Sequence, residues 1–195
     1  MIRIVVCLVI ALACFSCKDD PIPKPSALLR LEYPAPQYQR TSVDLPFTFE
    51  KNNLADSIGN IRVLSETTKG IELVYPVMKG TIYLTYKTVT DSNLRDLLMD
   101  AQNITQKHTV KADEIVEQPY LDEQNRVYGM FYEVGGNAAS QSQFYVTDST
   151  RHFIQGSLYF YAKPNYDSIL PSVNYIKQDI LQLMETLEWK NENDK

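Results

Sequence analysis

The sequence predicts an α+β domain in which an antiparallel β-sheet packs against two main helices. Three observations carry that prediction. Residues 93–108 and 168–189 repeat apolar side chains at the helical period of about 3.6. Strand-like runs surround the first of these, at 71–75 and 81–86 before it and at 114–117, 127–134, 143–148 and 153–161 after it. Short connections such as Gly135-Gly136-Asn137 and Asp148-Ser149-Thr150 join the later runs. Such turns make antiparallel neighbours, because a parallel crossover needs a dozen or more residues. Strands, helix, strands, helix is the order of an α+β domain, and helices on opposite faces would make it an α/β sandwich.

Each element follows from its residues. Residues 28–32 read as a first strand, and 47–50 and 61–64 as short ones. The runs at 71–75 and 81–86 are separated by Pro76-Val77-Met78-Lys79-Gly80, which supplies turn residues. In the second run Ile82, Leu84 and Tyr86 face one way, and Thr81, Tyr83 and Thr85 the other. Leu94, Leu97, Leu98, Ala101, Ile104 and His108 form the stripe of the first helix, with Asp91 or Ser92 as its N-cap. Ile169, Val173, Ile176, Ile180, Leu183 and Leu187 form the stripe of the second. Pro171 is expected in its first turn, where the missing amide costs nothing.

The amino terminus has a different character. Arg3 precedes an unbroken apolar run over residues 4–15. That run falls well short of the roughly 20 residues a membrane-spanning helix needs and fits the core of a signal peptide. Small Ser16 stands before Cys17, and charge follows at once in Lys18-Asp19-Asp20. This resembles the bacterial lipobox, whose Cys becomes the lipidated first residue, so Cys17 is the assigned acceptor of the acyl chains, palmitate among them. Ala13-Cys14 is a rival site, and a plain cleaved leader is the remaining alternative. Two or three acyl chains anchor stably where one does not. Lys18-Asp19-Asp20 also resembles the surface-export signal of Bacteroidetes lipoproteins; a solvated spacer is the other reading. Pro21, Pro23 and Pro25 stiffen a tether. The organisation is therefore a signal peptide at 1–16, lipidated Cys and Pro-rich tether at 17–26, one α+β domain at 27–190, and a polar tail at 191–195.

Composition narrows the chemistry. The net charge of −5 argues against nucleic acid, which needs clustered Lys and Arg. All three cysteines lie at or before Cys17, so the domain has no thiol nucleophile, disulfide or Cys-bound metal. No His-Glu-x-x-His, Gly-x-Ser-x-Gly or Walker phosphate loop is present. His108 reads as part of a packed helix stripe and His152 as a solvated turn residue. Asp113, Glu114, Glu117, Asp122 and Glu123 are close enough in sequence to bind calcium, but a solvated acidic face explains them more simply. No catalytic residue, metal ligand or cofactor is assigned. The 13 Tyr and seven Phe cluster on the late strands, at Tyr128, Phe131-Tyr132, Phe144-Tyr145 and Tyr159-Phe160-Tyr161. Adjacent aromatics point to opposite faces, so they are core if both faces are covered and a contact surface if one is open.

Three stretches carry a family resemblance: Met78 to Lys87, Lys111 to Pro119, and the long run from Tyr128-Gly129-Met130 to Tyr159-Phe160-Tyr161. They resemble the gliding-motility lipoprotein GldD family of Bacteroidetes, with Pro23-Lys24-Pro25 and Arg30 similar to its start. The region from Ser26 to Leu73 fits less well. The order of elements also resembles the sandwich shared by PsbP and Mog1 proteins, at the level of architecture. The family resemblance implies a noncatalytic role in gliding motility and the associated type IX secretion apparatus. It implies other gliding and secretion lipoproteins as partners, which this chain stabilises or assembles. It places the chain at the cell envelope, the outer membrane ahead of the inner, held by its N-terminal lipid. An envelope lipoprotein binding a small apolar or peptide ligand is the alternative. Asn137 and Gln141, in the connection Gly136-Asn137-Ala138-Ala139-Ser140-Gln141, are the candidate partner contacts.

Overall fold

The computed structural model describes residues 31–41, 44–56, 58, 61–107, 111–161 and 166–190. The leader, Cys14, Cys17, Lys18-Asp19-Asp20, the tether, His108 and the polar tail lie outside them. Three short strands come first: β1 (Tyr38–Arg40), β2 (Phe47–Thr48) and β3 (Glu50–Asn52). The next three, β4 (Arg62–Ser65), β5 (Thr68–Tyr75) and β6 (Gly80–Thr88), form a meander. Helix α1 (Leu94–Gln106) then carries the chain across the sheet to β7 (Glu114–Asp122) at the far edge. From there β8 (Val127–Gly135), β9 (Ser142–Thr147) and β10 (His152–Phe160) step back until β10 pairs with β6. Helix α2 (Tyr166–Glu185) and β11 (Glu188–Trp189) end the domain. The seven-stranded sheet runs β4-β5-β6-β10-β9-β8-β7, antiparallel at every pair, and the expected α+β class is what the chain adopts.

Both faces of the sheet are used. Phe153 and Ile154 are neighbours, so they point to opposite sides, yet they are 0% and 1% exposed. Phe153 packs with Val89, Leu97 and Ala101 under α1. Ile154 belongs to the main core with Ile82, Leu84, Phe144, Ile176 and Ile180 under α2. The layers are therefore helix, sheet, helix. Phe47 and Phe49 seal the α2 side, where β2 pairs with β11 and Trp189 meets Phe47 edge-on at 6.2 Å.

Several boundaries differ from expectation, each for a physical reason. Leu31 and Glu32 are not in a strand; the first is β1. The N-cap of α1 is Asn93, not Asp91 or Ser92. The Asn93 side chain turns back to the end of β6, accepting from the Thr90 amide at 2.8 Å and donating to the Thr88 carbonyl at 3.1 Å. Helix α2 starts at Tyr166, which puts Pro171 inside it rather than in its first turn. The carbonyl deprived of an amide there is that of Asp167, an exposed residue that water can serve. The helix stops at Glu185 rather than continuing to Trp189. The Thr186 hydroxyl accepts from the Glu50 amide at 2.9 Å and its carbonyl accepts from Arg40 at 2.7 Å, tying it to β3 and β1. β7 runs on through Pro119, tolerated because an edge strand has one side without a neighbour. The other edge, β4, is four residues long and carries a bulge between Val63 and Ser65.

Candidate functional site

The aromatic pairs on β8 to β10 sort by chemistry. Phe131, Phe144 and Phe160 turn toward α2 and the main core. Tyr132, Tyr145 and Tyr159 turn to the α1 side, where Tyr145 stacks on Phe153 at 5.7 Å and Tyr159 meets Tyr83 edge-on at 5.8 Å. Phe has no polar atom to satisfy and fills the dry layer, while a Tyr hydroxyl needs a wetter rim. Helix α1 is only 13 residues long and covers β9 and the start of β10. Beyond it no described helix covers the outer face of β5, β6 and β10. There Tyr83 and Tyr159 are half-buried and Tyr161 is 69% exposed. The Tyr83 and Tyr161 hydroxyls are 2.5 Å apart, and that bond, then burial, pushes Tyr83 up to about 12. Glu72, beside Tyr83 in the ladder, is paired with Arg62 at 2.8 Å. Core packing thus explains the aromatics that face α2, and Tyr83, Tyr159 and Tyr161 lie on the less covered part of the other face.

The β8–β9 connection is built from its own side chains. Gly136 has φ +87° with Asp113 packed against it, so a side chain there would be strained as well as blocked. Asn137 is exposed, and its Oδ1 accepts from the Tyr166 amide at 3.1 Å, holding the start of α2. Gln141 is 2% exposed and its Nε2 donates to the Ala138 carbonyl at 2.7 Å. Asn137 thus stands at the surface of the turn and Gln141 within it.

Two buried carboxylates escaped the sequence reading. Asp179 is 4% exposed on α2, and accepts from the Tyr38 hydroxyl at 2.8 Å and from Asn52 at 3.0 and 3.1 Å. Burial raises its pKa, and the bonds from Tyr38 and Asn52 offset only part of that. The same Asn52 amide donates to Tyr175, and Tyr33 bonds Ser172, so this network fastens Tyr33, Tyr38 and Asn52 to α2. Its sequence signal was an acid set among Ile176, Ile180 and Leu183 on an apolar stripe. Asp148 organises the β9–β10 turn: Oδ1 accepts from the Thr150, Arg151 and His152 amides, and Oδ2 from the Thr150 hydroxyl. Burial acts to raise its pKa, but those bonds win and lower it.

On the other side of α1, a cleft of about 570 Å³ opens against β7 and β8. Gln102, Thr105, Gln106, Ile115, Glu117 and Tyr132 line it. Tyr132 is pushed up to about 12 by burial, then by Tyr145 and the Glu117 charge.

His152 is not a solvated turn residue. It is half-buried at the start of β10, with Nδ1 2.9 Å from the Tyr86 hydroxyl and its ring stacked on Trp189 at 5.0 Å. The acids from 113 to 123 are spread along β7 by its extended backbone. Asp113 sits at Gly136, while Asp122 accepts from the Gln124 and Asn125 amides of its own turn. Among the described residues no three His, Cys, Asp or Glu converge on a point that would hold a metal. None of their helices is long and apolar enough to cross a membrane. The family model described as gliding motility lipoprotein GldD matches residues 18–189. No curated protein and no solved structure matches the chain.

Proposed function

The chain belongs to the gliding motility lipoprotein GldD family, and from that premise we propose that it is a noncatalytic, membrane-anchored subunit serving gliding motility and the associated type IX secretion apparatus. It acts by stabilising or assembling other gliding lipoproteins. Cys17 carries the lipid, the tether lifts the domain off the membrane, and the partner is taken on the open side of the sheet.

The observation that supports this best is the tyrosine face beyond α1. Tyr is enriched at protein interfaces because its ring buries area with little loss of freedom and its hydroxyl supplies a directed bond. Tyr83, Tyr159 and Tyr161 already hold one another in place, so little order remains to be gained on binding. Asn137, at the surface of the β8–β9 turn, is a second contact. A crosslinking pull-down of the intact lipoprotein from envelope membranes tests the reading, beside Cys17→Ala and Tyr161→Ser forms. Gliding and secretion lipoproteins should co-purify with the parent and be lost from both variants. An anchored, folded parent that comes down alone overturns it.

A further inference from the structure

His152 sits at one end of the sheet against the only tryptophan of the chain. Its ring lies 5.0 Å from that of Trp189 with 15° between the planes, a stacked pair. Its Nδ1 is at the same time 2.9 Å from the Tyr86 hydroxyl. Trp189 belongs to β11, the strand that covers Phe47. It pairs with Phe47 in the ladder, meets that ring edge-on at 6.2 Å, and donates its indole N–H to the Arg126 carbonyl at 3.1 Å. Histidine is the side chain whose charge ordinarily changes between about pH 5 and 8. The stack therefore joins a titrating ring to the strand that closes the main core.

Both charge states of the ring fit, and the charged one holds Trp189 more tightly. A Tyr hydroxyl can donate or accept, so Tyr86 gives its proton to a neutral Nδ1 and takes one from a charged ring. Burial raises the Tyr86 pKa, so it stays a phenol throughout. The indole face is the best aromatic partner for a cation. Among the charged groups nearby, Asp148 is buried, and its Oδ1 accepts from the His152 amide at 2.8 Å. Its lowered pKa keeps it an anion at neutral pH, and a buried charge is little screened. Arg126 and Arg151 oppose it, but both are exposed, and Arg126 is turned to the Asp148 carbonyl and the Thr150 hydroxyl at 3.4 Å. Lys87 and Glu188 alternate with Tyr86 and Trp189 along their strands and so point to the other side, and Lys190 follows Trp189. We propose that His152 is a proton-operated clasp, in which protonation tightens the stack on Trp189 and with it the hold of β11 on β2. This does not depend on the tyrosine-face contact proposed above.

The sign follows from linkage. A base that gains a partner when charged adds most to stability below its unfolded midpoint, about 6.5 for His, and that gain is lost as pH rises through the folded one. The test takes the full-length lipoprotein in detergent from about pH 8 to pH 5. All tryptophan emission comes from Trp189, and an imidazolium in contact quenches an excited indole far more than a neutral imidazole does. Emission should therefore fall along a single titration curve in the parent and stay level in His152→Gln, which cannot charge. Hydrogen exchange of the Trp189 indole N–H reads the hold on β11 directly. Its protection in the parent relative to His152→Gln should rise about twofold to fivefold on acidification, the worth of one partly exposed cation–π contact. Trp189→Phe, a weaker partner for a cation, should lower the NMR titration midpoint of His152 by a few tenths of a pH unit. The parent measurements stand even if a variant fails to fold. Emission that does not change with pH overturns the clasp. So does a midpoint unmoved in Trp189→Phe, or indole protection that falls on acidification.

Discussion

The two faces of one sheet, built from alternate residues of the same strands, do different work. The face toward α2 is dry and aliphatic or phenylalanine-lined, with Phe131, Phe144, Ile154 and Leu158 all at 1% exposure or less. The face toward α1 carries Tyr83, Tyr132, Tyr145 and Tyr159, and α1 covers it only along its middle. The α2 side is long and closed, so it takes the stability. The α1 side is covered only in part by the described residues, and the partner contact proposed above is placed there. The Phe/Tyr division holds on β8 and β9, where Phe131 and Phe144 face α2 and Tyr132 and Tyr145 face α1, and fails on β6 and β10, where Tyr86 faces α2 and Phe153 faces α1.

The comparison can be broken most severely at Phe144. Its ring fills the space over Gly156, where a Cβ would lie 2.1 Å from Phe144 Cε1, so nothing nearby can collapse into the gap. Phe144→Ala should destabilise by about 3–5 kcal/mol in urea unfolding, against far less for truncations on the open face. Asp148→Ala comes next, at about 1–3 kcal/mol, because three backbone amides lose their acceptor. Its sign with pH is fixed. The Asp148 folded pKa lies below the ordinary 3.8, so the unfolded chain binds more protons in that window. Its contribution is whole above 3.8 and falls away as pH drops through the folded value, and unfolding curves on the wild type and the variant should converge there.

Asp179 gives a smaller effect of opposite sign. Its folded pKa is raised above 3.8, so the folded chain binds more protons, and stability falls as pH rises through that window. Asp179→Asn should cost about 1 kcal/mol below about pH 4, less above it, and remove the slope. The smallest change in stability sharpens the comparison from the other side. Tyr161→Ser, at a position 69% exposed, should stay within about 0.5 kcal/mol of the parent by urea unfolding. It should nevertheless lose the captured partners, which no stability effect of that size explains.

Much of the fold was legible from period alone. The alternation over β6 and β10 and the stripe of α2 name their own faces, and the Phe153-Ile154 pair requires a covered sheet on both sides. The early region was not legible. β1, β2 and β3 are two or three residues long, and what places them is remote: Tyr38 and Asn52 on Asp179, Arg40 on Thr186, and Trp189 on Phe47. Those contacts join positions more than a hundred residues apart, which local propensity cannot see. For the same reason Asn137 and Gln141 looked alike in sequence and sit differently, because the turn bonds Gln141 to Ala138 and leaves Asn137 outside. The cleft escaped notice because it is made by α1 lying over strands that follow it in the chain.

The β2–β11 pairing has a consequence for the order of events as the chain is made. Leu187 and Phe47 are both 0% exposed, and the strand that brings Trp189 to Phe47 comes last in the described domain. Contacts of such long sequence separation form only after the intervening chain is available. A chain broken off before Leu187 would therefore leave Phe47 and its neighbours bare, to be removed as an unfinished product. The final two-residue strand therefore closes the main core over Phe47 last among the described elements.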